Sequence, residues 1–139
     1  MPEQFHTTRL VEFHDTDMAG IMHFASFFVY MESAEHELLR SLGFSVHTEL
    51  DGERVSFPRV SASCQYTAPA FSEQVLNIAV AVLRIGEKSI TYEFHFTHEG
   101  RPVAVGQMTS VCCRVRAGEA PVSRPIPSEM VEKLRTYAA

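Results

Sequence analysis

The chain has 139 residues, and twelve Lys plus Arg against seventeen Asp plus Glu leave a net charge of −5. Apolar residues make up 45% and charged residues 21%, which is the balance of a soluble globular protein. The length predicts a single domain, residues 1–139, burying about two-thirds of its unfolded surface. This composition excludes a mainly disordered chain, and the net acidity with scattered basic residues argues against a nucleic-acid partner.

The first strand is expected over residues 7–14, with Leu10, Glu12 and His14 on one face and Arg9, Val11 and Phe13 on the other. A loop rich in turn residues follows, Asp15-Thr16-Asp17-Met18-Ala19-Gly20. The spacing of Phe24, Phe27, Phe28, Met31, Leu38 and Leu42 predicts one long helix over residues 22–42. Gly43 stands where a left-handed C-cap belongs. Residues 44–54 read as a loop. Strands are expected at 55–67, with Pro58 marking an edge or a bulge, then at 73–85, 88–98 and 101–116. A short helix over 128–137, capped by Ser128, closes the chain. Strands grouped after a helix give an α+β fold, an antiparallel sheet with one helix packed on it. Ala79, Ala81 and Leu83 make the strand at 73–85 apolar on both faces, so a second subunit is expected to cover the outer one.

The longest clean apolar runs, such as 78–83, fall far short of the roughly 18 residues of a membrane span. Residues 1–6 hold no basic region followed by an apolar stretch, so no secretion signal is expected. Three cysteines, Cys64, Cys112 and Cys113, without a C-x-x-C spacing predict reduced thiols and a cytoplasmic location rather than a disulfide framework. The seven histidines show no ligand spacing, so no metal is expected.

Asp15 and Asp17 sit just before the long helix. A helix N-terminus offers unpaired N–H groups and about half a positive charge. A carboxylate beside such a site could attack an electrophilic carbonyl, or activate water to do so, while the N–H groups polarise the oxygen. The ordinary alternative is that these aspartates only cap the helix.

Residues 12–25, Glu-Phe-His-Asp-Thr-Asp-Met-Ala-Gly-Ile-Met-His-Phe-Ala, resemble the active-site segment of hot-dog-fold acyl-CoA thioesterases of the 4-hydroxybenzoyl-CoA thioesterase family. The order of elements, Lys88-Ser89 after a glycine and Ala104-x-Gly106 in the last strand extend the likeness over nearly the whole chain. The resemblance implies a hot-dog fold and a thioester hydrolase acting on an acyl-CoA. It implies Asp17 as catalytic carboxylate, Asp15 as a structural residue holding the loop, and Gly20 as a point of close backbone approach. A backbone N–H near His23 or Phe24 is implied as the oxyanion donor. It implies a homodimer or homotetramer with active sites between subunits, and no cofactor beyond the coenzyme A of the substrate.

Many family members read Tyr-His-Ala-Asn where this chain reads His23-Phe24-Ala25-Ser26, so its histidine is displaced by one position. Met22, Glu32 and Phe57 are expected to line the acyl pocket, with Met18, Phe24 and Met108 as further apolar candidates. Glu32 and His36, four apart on the helix, line that pocket or touch the partner subunit; the alternative is a solvated pair beside Glu35, Glu37 and Arg40. Arg84, Lys88 and Arg124 are expected to grip the phosphates of coenzyme A. Glu73 is expected to be a surface residue. Two other readings of the fold stand beside hydrolysis: a non-catalytic acyl-CoA or acyl-carrier-protein binding module, and a hydratase or dehydratase. Retention of Asp17 favours the hydrolase over the module.

Overall fold

The computed structural model describes residues 4–50 and 52–138. Residues 1–3, part of the segment read as lacking a signal, and Asp51 of the expected 44–54 loop lie outside them. The elements are β1 (Phe5–Leu10), α1 (Ser26–Ser41), β2 (Thr48–Leu50), β3 (Glu53–Ser56), β4 (Arg59–Tyr66), β5 (Val75–Ile85), β6 (Ser89–His98), β7 (Arg101–Val111), β8 (Cys113–Arg114), β9 (Val122–Ser123) and α2 (Ser128–Leu134). The main sheet is antiparallel in the order β1-β5-β6-β7-β4. A small sheet, β2-β3-β8-β9, lies beside it. This is the expected α+β hot-dog architecture, one long helix on an antiparallel sheet. No described helix is long and apolar enough to cross a membrane.

The helix packs on the sheet through Phe27, Tyr30, Met31, Ala34, Glu35, Leu38 and Leu39, all buried. Opposite them, alternate residues of the central strands (Ile78, Val80, Phe94, Phe96) are fully buried. Each large apolar side chain buried here contributes about 1.5–3 kcal/mol. The tightest approach is at Gly106 on β7. A Cβ there would stand 2.6 Å from Met31 Sδ and 2.9 Å from its Cε. Met31 is itself fully buried and has little room to retreat. Gly106→Ala is therefore expected to destabilise the fold by about 1–3 kcal/mol, as overpacking does; an unchanged midpoint in urea unfolding would refute this.

Several expected boundaries move. β1 ends at Leu10, and residues Phe13–Asp15 form a 3₁₀ turn instead of continuing the strand. The helix begins at Ser26, not at 22, because Met22 pairs with Thr16 and Ile21 with Phe71 in isolated β-bridges. Phe24 thus precedes the buried stripe and is 62% exposed. The strand expected over 55–67 breaks at Phe57-Pro58 into β3 and β4, which belong to different sheets. The expected 44–54 loop contains β2 and the start of β3, and the strand expected over 101–116 breaks at Cys112. Cys112 and Cys113 are both buried, and all three cysteines are free. Pro127, not Ser128, holds the N-cap position of α2. Leu42, not Gly43, holds the C-cap position of α1, and Gly43, with φ +88°, is the left-handed residue just beyond it.

The outer sheet face corrects one inference. Ala79 and Ala81 are small residues paired with His95 and Glu93 and are already buried in a single protomer, whereas Leu83 is 38% exposed. That face carries Thr91, Glu93, His95, Gln107 and Thr109 in register. It needs no apolar cover, so it gives no ground for a second subunit.

Candidate active site

The loop between β1 and α1 is held by its own hydrogen bonds. The Asp17 N–H donates to the Ile21 carbonyl at 2.9 Å and the Gly20 N–H to the Asp17 carbonyl at 3.0 Å, closing a tight hairpin. Gly20 has φ +80°, and a Cβ there would meet nothing within 4 Å. The requirement for glycine is therefore conformational, and the expected close backbone approach is not observed. The Asp17 Oδ1 accepts the Ala19 N–H at 2.8 Å. Among the described residues its second carboxylate oxygen has no partner.

The peptide groups leading into α1 can be counted one by one. The Met22 N–H donates to the Ala70 carbonyl at 2.7 Å and the His23 N–H to the Asp15 carbonyl at 2.7 Å. The Ala25 N–H donates to the His23 Nδ1 at 3.1 Å, and the Ser26 N–H to the His23 carbonyl at 2.9 Å. Among the described residues the Phe24 N–H has no acceptor. Of the two expected oxyanion positions, the His23 N–H is spent within the loop and the Phe24 N–H is open. The His23 side chain caps the approach to the helix and stacks on Phe24, with ring centroids 4.6 Å apart. Its Nδ1 is an acceptor, which places its proton on Nε2.

One cavity of about 540 Å³ brings Asp17, Met22 and Phe24 together with Ile21, Phe27 and the segment from Tyr66 to Ala70. The lining is mostly apolar, with Asp17 as its carboxylate. The Tyr66 hydroxyl donates to the Phe24 carbonyl at 2.9 Å and so holds the peptide plane beside the open N–H. Burial and the neighbouring Cys64 push the Tyr66 phenol up to about 12, keeping it a donor through the neutral range.

Other expected site residues lie elsewhere in the protomer. Glu32 and Phe57 do not line this cavity, nor do Met18 and Met108. Phe57 is buried just before β4, and Glu32 lies 3.8 Å from Arg59 at the start of that strand. The cavity is at the Tyr66 end of β4, about 23 Å from its Arg59 end at roughly 3.3 Å per residue, whereas Glu32 stands five helix residues, about 8 Å, beyond the cavity-lining Phe27. Lys88 and Arg124 flank Cys112. The Lys88 carbonyl accepts the Cys112 N–H at 2.7 Å, and the Cys112 carbonyl accepts the Arg124 N–H at 2.9 Å. With Arg84 they cluster near the β5–β6 turn, the Arg59 end of the sheet. A single protomer thus separates the expected phosphate grip from the expected carboxylate. Glu73 is exposed, as expected, with φ +73° in the turn before β5.

Sequence reasoning missed a buried charged cluster. Glu35 is fully buried, bonded to the Arg59 guanidinium, and accepts the Ser110 hydroxyl at 2.9 Å. Arg59 also meets His36 Nε2 at 3.1 Å. Burial, opposed by Arg59 and Ser110, raises the Glu35 pKa, and burial with the Arg59 charge lowers that of His36. The reading of Glu35 as solvated is corrected. Its spacing from Met31 and Leu38 puts it on the buried stripe, a signal present in the sequence. Tyr30 was missed for the opposite reason: it fits the apolar stripe, and its hydroxyl partner, Asp15, is remote in sequence.

Residues 11–134 match the Thioesterase-like superfamily. A putative esterase of Aquifex aeolicus is 30% identical over 127 residues, covering 91% of this chain and 94% of that protein. A 1,4-dihydroxy-2-naphthoyl-CoA hydrolase of Synechococcus elongatus is 24% identical over 131 residues, covering 94% of each. A solved gentisyl-coenzyme A thioesterase superposes with a TM-score of 0.80 at 30% identity, covering 94% of this chain and 98% of that one. At 21% identity, a 1,4-dihydroxy-2-naphthoyl-CoA thioesterase from Synechocystis shares the fold, with a TM-score of 0.83 and coverage of 95% and 96%. With a loop, sheet and helix of this arrangement, and a match spanning nearly its whole length, the chain belongs to the Thioesterase-like superfamily and is a thioester hydrolase of the hot-dog fold.

Proposed function

We propose that the chain hydrolyses acyl-CoA thioesters to a free carboxylic acid and coenzyme A, with Asp17 acting on the thioester carbonyl and the Phe24 N–H receiving the oxyanion. The observation that carries this reading is their meeting in one apolar cavity, the carboxylate with an uncommitted oxygen and the peptide with an uncommitted N–H. As general base, Asp17 takes a proton from water while the water oxygen bonds to the carbonyl carbon. The tetrahedral oxyanion then collapses, the C–S bond breaks, and the thiolate leaves. As nucleophile, Asp17 forms a mixed anhydride that water opens afterwards. Both routes develop negative charge on the carbonyl oxygen, where a preorganised N–H contributes most. Coenzyme A arrives with the substrate, so the reaction requires no further cofactor.

The acyl group is aromatic on this reading. The cavity walls include Phe24, Phe27 and Tyr66, and two relatives at this length are named for hydroxylated aromatic acyl-CoA esters. Thiol release from a panel of aromatic and aliphatic acyl-CoA esters tests both the reaction and the preference. Stabilisation by these esters without turnover would instead support a binding module.

The active unit is at least a dimer. β4 is an edge of the main sheet, with Val60 64% and Tyr66 46% exposed. An unpaired edge of this length invites pairing. Two copies related by a two-fold axis normal to the sheet pair antiparallel and keep both helices on one side. The Arg59 end of one protomer then meets the Tyr66 end of the other. Glu32, Phe57, Arg84, Lys88 and Arg124 of the partner approach the cavity, as a composite acyl and phosphate site requires. A tetramer joins two such pairs. The free cysteines suit a reducing cytoplasm. Ala62→Asp, which sets like charges beside the two-fold axis, is expected to give monomers in sedimentation and to lose turnover with dissociation. A dimeric, active Ala62→Asp protein would overturn this arrangement.

A further inference from the structure

We propose that Tyr30 is a positioning residue that acts through Asp15 to fix the Phe24 N–H relative to the Asp17 carboxylate. The proposal rests on the thioesterase reading and adds a buried residue of the helix to it. Tyr30 lies one turn into α1, and its ring is buried. Its hydroxyl donates to the Asp15 Oδ2 at 2.7 Å and lies 3.1 Å from the Leu10 carbonyl. Burial and the Asp15 carboxylate raise its pKa, so it remains the donor throughout the working pH range.

Asp15 is the junction of the loop. Its Oδ2 also accepts the Glu12 N–H at 3.0 Å. Its carbonyl accepts the His23 N–H at 2.7 Å and the Ser26 hydroxyl at 3.1 Å. The end of β1, the hairpin and the first turn of α1 thus converge on one residue. Two residues beyond it stands Asp17, and one residue beyond His23 stands the open Phe24 N–H. Tyr30 is the side chain that ties this junction to the packed core. A phenylalanine would fill the same space, so the hydroxyl answers to the loop and not to core packing. Misplacement of reacting groups by about 1 Å costs up to a hundredfold in rate, which is the scale on which such a tether acts.

The test is Tyr30→Phe in the intact protein, with steady-state kinetics on the acyl-CoA panel and amide hydrogen exchange. The expected result is a fall in kcat of about tenfold or more with KM within about twofold, and exchange of the His23 N–H about tenfold faster or more. Asp15→Ala is expected to lower kcat further, and adding Tyr30→Phe to it to change kcat by less than about twofold, since both act through one junction. A role in stability alone predicts a lower melting temperature with kcat retained, and a role independent of Asp15 predicts a kcat loss in the double variant equal to the product of two single losses. Either of those, or unchanged His23 exchange, overturns the proposal while an active wild type leaves the thioesterase reading standing. A wild type that hydrolyses no ester would overturn that reading and the role assigned to Tyr30 with it.

Discussion

Asp17→Asn is expected to lower kcat by about a hundred- to ten-thousandfold, the range over which a positioned acid–base group contributes. Asparagine has the same shape, and its side-chain oxygen still accepts the Ala19 N–H that closes the hairpin. The loop and the cavity therefore persist, and only charge and basicity are lost. KM and melting temperature should change little. The hydrogen bonds that build this site run mostly between backbone groups or from Tyr30, Tyr66 and Ser26, none of which depends on the Asp17 charge. Full activity in Asp17→Asn, measured as thiol release, would remove Asp17 from the reaction. Single-turnover hydrolysis in ¹⁸O-labelled water separates its two roles. A nucleophile whose anhydride is opened by water at its own carbonyl carries the label into the Asp17 carboxylate; a general base never acquires it.

What was legible in the sequence was what local pattern controls. The helix stripe from Phe27 to Leu38, the alternation of β6 and the left-handed turn at Gly43 that ends the helix follow from spacing and one positive φ. The D-x-D-x-x-G segment marked the loop where Asp17 and Phe24 share a cavity. What was hidden depends on contacts far apart in the chain. The helix starts at Ser26 because residues 21 and 22 are drawn into bridges with Phe71 and Thr16. The break at Phe57-Pro58 hands two halves of one apparent strand to two sheets. A pattern that is periodic in residues 22–25 cannot reveal that the N–H groups of Met22 and His23 are already bonded to Ala70 and Asp15. Lys88 matched the expected residue type yet sits by the β5–β6 turn, at the end of the sheet away from Asp17.

Arg59→Met alone is expected to cost about 3–5 kcal/mol, because it leaves the Glu35 carboxylate buried without its counter-charge. Glu35 is fully buried, and its other partner is the neutral Ser110 hydroxyl. The ion pair itself is not a strong source of stability. Desolvation of both groups offsets their attraction, and among the described residues the buried Arg59 Nε finds no acceptor. Glu35→Gln, which can still accept from Ser110, is therefore expected to cost far less than Arg59→Met. The double variant Arg59→Met/Glu35→Leu should recover most of the loss. The pH dependence has a definite sign. Burial raises the Glu35 pKa above its unfolded value, so the folded state binds this proton more tightly than the unfolded chain. Stability from this group is gained as pH falls through the folded pKa and is fully present below the unfolded one. Removing the Arg59 charge, which lowers the Glu35 pKa, raises it further. The deficit of Arg59→Met relative to wild type should then be largest near pH 8 and shrink towards pH 5 in denaturant unfolding. A deficit independent of pH would assign the cost to lost packing of the Arg59 stem, not to the stranded charge.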